Sequence, residues 1–294
     1  MVTPAPQAKT LRNSRTLVTG DCELSESKSD KELAFLKDLY VSTDWGERFA
    51  ALMDENIKLP EEGRILYVEA GTGSHAMALH ESAEEGVGML CVDESEECLE
   101  LARVKSIAMN IEPEFRFAKP DALGLRDHQF ELVVGDGSLV APKRVPKMLT
   151  EMVRVAIPGG TVMLGLVTAA SFGEFFSIYW EALQHAGLSN HAPYVEELIS
   201  ELPTVAVIEA MASEAGLKNV KSWTKPEEFN YESGEDFLNS PLITDFFLQT
   251  WTRMLPDSDR VGVTKEIIRL IDEERQDGDF ILSVKTTVIV GQKK

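Results

Sequence analysis

The stretch LYVEAGTGSHAMAL, residues 66–79, decides how the rest of the chain is read. An apolar run ends in a carboxylate, Glu69, and two glycines follow at Gly71 and Gly73 before a helix-forming run begins. A strand, a glycine turn and a helix in that order form a nucleotide-binding unit, because the bare turn lets backbone approach the ligand at a helix N-terminus. Two nucleotides compete for it. Gly71, Gly73 and Ala76 satisfy the dinucleotide fingerprint G-x-G-x-x-[GA]. Asp93 closes the next apolar run, twenty residues after Gly73, where a ribose-binding acid belongs. Taken alone, this set fits NAD.

Outward from the turn, short apolar runs alternate with helical ones. RILYVEA, VGMLCVD, FRFAKPDA, FELVVGD and TVMLGLV read as strands. SHAMALHESAEE, SEECLELARVKSIAMN (Ser95 as N-cap) and VPKMLTEMVRVA read as the helices between them. This alternation predicts a doubly wound α/β fold with helices on both faces of a mostly parallel sheet. Ahead of it, Leu33, Phe35, Leu36, Leu39 and Tyr40, then Phe49, Leu52 and Met53, predict two leading helices. Residues 1–28 are polar and aperiodic and read as a flexible tail before a domain spanning 29–294.

After residue 171 the pattern turns helical. Helical insertions are expected at about 172–204 and 233–278, on either side of the strand-like NVKSWTKPEEFNY. The β-branched run FILSVKTTVIVGQKK makes a seventh and last strand.

With these pieces in order, the chain resembles the class I S-adenosylmethionine (SAM)-dependent methyltransferases of the small-molecule type, from about residue 45 to the C-terminus. The family's [DE]-x-G-x-G turn is matched by Glu69-Ala70-Gly71-Thr72-Gly73, and the acid ending its second strand by Asp93. Its D-A pair after the third strand is matched by Asp121 and Ala122. The helix L-x-E-x-x-R-V-x-x-P-G-G is matched by LTEMVRVAIPGG. The carboxylate before the glycines favours SAM over NAD. The resemblance implies a seven-stranded sheet with an antiparallel final strand. It also implies SAM held by Glu69, Gly71, Gly73, Asp93, Asp121 and Ala122: Asp93 on the ribose hydroxyls, Asp121 on the adenine amine, Glu69 near the methionine end. One departure is His75, where the family often has a third glycine. It reads either as a tolerated substitution or as an active-site histidine.

Charge and composition narrow the acceptor. The formal net charge is -20, and residues 81–100 hold eight acids and no Lys or Arg. Nucleic-acid binders carry a basic face, so no nucleic-acid partner is expected. The Asn/Asp-Pro-Pro-aromatic turn of base-amino methyltransferases is replaced by Gly135-Asp136-Gly137-Ser138. No apolar run approaches the roughly 20 residues needed to cross a bilayer, and the N-terminus lacks a signal core, so a cytoplasmic protein without membrane contact is expected. Cys22, Cys91 and Cys98 have no metal-type spacing, and no metal is expected. A small, apolar or aromatic acceptor is expected, beneath a cap built from Phe172, Phe175, Phe176, Tyr179 and Trp180 and from Leu242, Ile243, Phe246, Phe247, Trp251 and Met254. The same stripes also read as ordinary core. No catalytic base is singled out. Polar candidates are His128, Tyr179, His185, His191 and Tyr194. A catalytically silent methyltransferase-like subunit acting through a protein partner remains the competing reading.

Overall fold

The computed structural model describes residues 28–274 and 278–294. The expected tail, up to residue 27, lies outside the described residues. Seven strands form one sheet: β1 (Arg64–Val68), β2 (Gly88–Asp93), β3 (Glu114–Phe117), β4 (Phe130–Asp136), β5 (Ala156–Val167), β6 (Leu217–Tyr231) and β7 (Phe280–Lys293). Their order is β3-β2-β1-β4-β5-β7-β6. The first five run parallel, and β7 pairs antiparallel with both β5 and β6. The reversal of strand order at β1/β4 opens a crevice beyond the carboxyl ends of those strands, where such sheets bind ligands.

Period-two alternation sorts the strand residues onto two faces. Leu66, Val68, Leu90, Val92, Val133 and Leu164 pack against helices α5 (Val145–Val155) and α8 (Val205–Glu214). Ile65, Tyr67, Met89, Cys91, Val134 and Met163 face α2 (Glu47–Asp54) and α3 (Ser74–Ser82). Helix α4 (Glu96–Met109) is capped by Ser95, whose Oγ accepts from the Cys98 N–H, as its sequence requires.

A third cluster covers the β5-β7-β6 end. It is built from α6 (Gly173–His185), α7 (Ala192–Glu201), α9 (Gly234–Asn239), a π-helical turn at Leu242–Phe247, α10 (Leu248–Trp251) and α11 (Asp257–Glu274). Phe175, Phe176 and Trp251 sit within 5.7 Å of one another, ring to ring. Both aromatic segments of the sequence therefore meet in one body on the same end of the sheet.

The leading helices correct the sequence reading. Rather than two helices, α1 (Asp30–Leu36), a π-helical segment (Lys37–Gly46) and α2 follow one another with helical backbone at every junction. The face is also different. Phe35, Leu39 and Tyr40, expected inside, are 55%, 46% and 56% exposed, while Ala34, Val41, Trp45 and Phe49 are buried. Residues four apart drift one way round a 3.6-residue turn and the other way round the wider π turn. Combining the two keeps Val41, Trp45 and Phe49 in line, which an α-helical period alone does not.

Candidate active site

The crevice is built on the β1–α3 turn. Gly71 (φ +55°) and Gly73 (φ +84°) hold left-handed backbone that a side chain strains. A Cβ on Gly73 would also come within 2.6 Å of Met77 Cε and 3.0 Å of Ala102 Cβ. Glu69 takes φ +60° without being glycine, and its Oε1 is buried with no hydrogen-bond partner. Its carboxyl is pushed well above the usual range, first by burial and next by the neighbouring charge of Asp93, with Lys37 pulling the other way. An under-bonded acid in left-handed backbone, whose charged form burial disfavours, is stabilised when a cation is brought beside it.

Asp93 is 1% exposed. Its Oδ2 accepts from the Gly71 N–H (2.7 Å) and its Oδ1 from the Ser95 N–H (2.8 Å), so one side chain fixes both the glycine turn and the entry to α4. An ionised carboxylate retains further lone pairs for two ribose hydroxyls. Asp121 lies past β3, where Lys119 and Ala122 form an isolated bridge. Arg144 donates to Asp121 at 2.9 Å and to both oxygens of Glu94, and this pairing holds the Asp121 carboxyl below its usual range. The acids at the ends of β2 and β3 thus share one guanidinium. The orphan oxygen of Glu69, the bare turn and the acceptor capacity of Asp93 fit a nucleoside carrying a cationic tail.

A cavity of about 300 Å³ opens at this turn, lined among others by Lys37, Phe49, Tyr67, Glu69, Gly71, His75 and Asp136. A second, of about 120 Å³, lies beyond β4 and β5, lined by Ser138, Leu166, Phe172, Phe176, Phe247 and Trp251. Trp45 stands by the walls of both. Its ring lies 5.2 Å from Phe49 and 5.3 Å from Phe247, and its Nε1–H donates to Ser138 Oγ at 3.0 Å. The turn after β4 divides the cavities too: Asp136 faces the first, Ser138 the second, and the Ser138 N–H donates to Asp136 Oδ1.

His75 is neither idle nor free. Tyr67 Oη and His75 Nδ1 are 2.8 Å apart, and His75 Nε2 is 3.0 Å from Asp54 Oδ1, forming a Tyr–His–Asp chain along the cavity wall. Burial pushes the Tyr67 phenol well up, and the charge of Asp136 adds to it, so this hydroxyl stays protonated. His75→Gly is expected to strand the Tyr67 hydroxyl and cost about 1–3 kcal/mol. Tyr67→Phe should abolish most of that penalty in the double variant, a coupling that urea titrations of the cycle measure directly. Additive losses would mean that the two side chains do not interact.

None of the five polar candidates lines either cavity. His128 lies by the Ala156 carbonyl and Lys293, at the amino end of β5. His185 pairs with Glu266. Tyr194 donates to the Thr250 carbonyl, and the Tyr179 hydroxyl is buried without a partner. His191 sits in a short 3-10 turn before α7. The cavity residues that sequence reasoning passed over are Lys37, Tyr67 and Asp54, and it passed over Trp45, packed behind Phe49. Asp136 was visible as the end of a strand and part of the turn after it. Among the described residues no group of three or more His, Cys, Asp or Glu is placed to hold a metal, and no helix is long and apolar enough to cross a membrane.

Comparison with known proteins agrees with this architecture. Residues 65–160 match the family model described as a methyltransferase domain. A demethylmenaquinone methyltransferase of Renibacterium salmoninarum is 30% identical over 125 residues, covering 42% of this chain and 49% of that protein. The chain thus spans about half the length of that curated relative. The YcgJ protein of Bacillus subtilis superposes with a TM-score of 0.56 at 16% identity, over 84% of this chain and 99% of that one. Phosphoethanolamine N-methyltransferase 2 of Haemonchus contortus, in complex with phosphomonomethylethanolamine and S-adenosylhomocysteine, gives 0.53 at 14% identity, over 91% and 61%. The chain has the Rossmann-like fold of class I SAM-dependent methyltransferases. Within it, residues 65–160 are the part that matches the methyltransferase-domain model.

Proposed function

We propose that the protein binds SAM on the β1–α3 turn and catalyses methyl transfer to a small, apolar or aromatic molecule held in the cavity beyond β4 and β5. The observation that carries this reading is the adjacency of two unlike cavities at the carboxyl ends of the strands. One is rich in carboxylates and complements a cationic cofactor; the other is walled by Phe172, Phe176, Phe247 and Trp251. When bound, SAM supplies a methyl group already activated on a sulfonium. The chain's task is then to orient the acceptor and exclude water. Glu69, Gly71, Gly73 and Asp93 are the proposed cofactor residues, with Asp121 and Ala122 at the adenine end. In support of the acceptor class, the Renibacterium relative is named for demethylmenaquinone. The roof formed by α6 and the 242–251 segment acts as the cap, within one methyltransferase domain that carries helical insertions. A cytoplasmic location is part of the proposal, supported by the free, buried thiols of Cys91 and Cys98. The net charge of -20 supports a small-molecule partner over a nucleic acid.

A second reading, a silent methyltransferase-like subunit acting through a protein partner, is favoured by one observation: both oxygens of Asp93 are already bonded and Lys37 lies over Gly71. Incubation with methyl-tritiated SAM and a panel of phenols and quinols separates the two. Label transferred to an organic-soluble product supports the enzyme. SAM that binds but is never turned over on any acceptor supports the silent subunit.

A further inference from the structure

Lys37 enters the crevice from the π-helical segment. A Cβ placed on Gly71 would lie 3.3 Å from Lys37 Cε and 3.4 Å from Nζ. The lysine side chain therefore rests on a glycine whose bareness a nucleotide turn requires. Its side chain lines the same cavity as Glu69 and Asp136, and its ammonium feels the charge of Asp93 first. Burial alone would lower the proton affinity of this group, yet its acidic surroundings, Asp93 first and then Cys98, Glu69 and Asp136, hold it above its ordinary range. The next residue grips the same turn. Asp38 accepts from Thr72 Oγ1 at 2.5 Å and from Lys105 Nζ. Consecutive residues of one helical segment thus clamp Gly71 and Thr72 with opposite charges.

The methionine end of SAM carries two cations, a sulfonium and an α-ammonium, beside one carboxylate. The acidic cluster at the glycine turn complements those cations, but Lys37 already sets one positive charge beside it. Like charges brought within a few ångströms in a partly desolvated cleft repel strongly. We infer that Lys37 is an internal competitor for the cofactor: its ammonium fills the cation subsite at Gly71, and the π-helical segment must release it before SAM is seated. This rests on the proposed function. A site open only about a tenth of the time loses about ten-fold in apparent affinity, so the clamp sets the SAM concentration at which the protein loads.

Calorimetric titration of the full chain and of the variants Lys37→Met and Asp38→Asn tests this. The ligands are SAM, S-adenosylhomocysteine and 5′-methylthioadenosine. Methionine keeps most of the lysine's bulk, so its effect reads charge. SAM is expected to bind Lys37→Met about ten-fold more tightly than wild type. The gain should be smaller for S-adenosylhomocysteine, which lacks the sulfonium, and smallest for methylthioadenosine, which lacks both cations. Asp38→Asn frees the clamp without touching the ammonium and should also tighten SAM. If Lys37→Met fails to give a cooperative melt, the SAM affinity of Asp38→Asn decides between release and no release. Unchanged affinity in both variants overturns the inference. So does a loss of ten-fold or more for SAM and S-adenosylhomocysteine in Lys37→Met with methylthioadenosine unaffected, because Lys37 would then be the ligand of the cofactor's carboxylate. Binding of no ligand by any form removes the methyltransferase reading and this inference with it. Binding without a variant effect removes this inference alone.

Discussion

Trp45→Ala is expected to lower the free energy of unfolding by about 3–5 kcal/mol, the range for deleting a large buried aromatic. Trp45 is 1% exposed and sits at a junction of layers. Its ring meets Phe49 of α2, Phe172 at the start of α6, Phe229 of β6 and Phe247 of the second π turn, all within 6.4 Å. Its indole N–H is the donor to Ser138 after β4. Alanine at this position leaves a void that four elements cannot close together, because each is fixed by its own packing. It also strands the Ser138 hydroxyl and removes the support behind Phe49 and Phe247, which line the two cavities. Trp45→Phe keeps much of the ring contact and should cost less than half as much. Equilibrium urea unfolding followed by circular dichroism measures both. A loss under about 1 kcal/mol for the alanine variant would mean that the leading helical run is not docked over the crevice.

Asp93→Ala has the second largest expected effect, and it falls on binding and stability together. Losing a charged hydrogen-bond acceptor for the ribose should weaken SAM by about 1.5–3 kcal/mol, or roughly ten- to a hundred-fold. The same substitution removes the acceptor of the Gly71 and Ser95 N–H groups. The glycine turn then loses one of the bonds that tie it to β2, leaving that of the Ala70 N–H to the Val92 carbonyl, and about 1–3 kcal/mol of stability goes with each donor left buried and unpaired. Asp93→Asn keeps one oxygen but turns an amide N–H₂ toward one of those donors, so it should fall between alanine and wild type in both readouts. Unchanged SAM affinity in Asp93→Ala, measured on protein shown to be folded, would remove Asp93 from the site.

What the sequence made legible was local. The strand, the glycine turn and the helix after it are specified by neighbours in the chain, so 66–79 could be read directly, and Asp93 followed from the length of one β–α–β unit. The sheet followed from alternation, and the long last strand from its β-branched residues. The functional details that escaped depend on approach between distant segments. Nothing near Lys37 marks it as a crevice residue; it becomes one because a π-helical segment lays it on Gly71. Tyr67 looks like one more apolar position of β1, and only folding sets it beside His75 and, through it, Asp54. His75 had two readings in the sequence and acquires partners only in three dimensions. The face of the leading helix was misread at Phe35, Leu39 and Tyr40 because the period changes inside the helix. Asp121 was located, but its ion pair with Arg144, which stands just ahead of α5, was not foreseeable from spacing.

Whether the β1–α3 crevice is a SAM site is tested most directly by isothermal titration of the wild-type chain with SAM and, separately, with NAD. Saturable one-to-one binding of SAM is expected, weakened roughly ten- to a hundred-fold in Asp93→Ala, with NAD bound at least about ten-fold more weakly than SAM, a difference of about 1.4 kcal/mol. NAD bound more tightly than SAM, or SAM binding indifferent to Asp93, would contradict a SAM site at this turn.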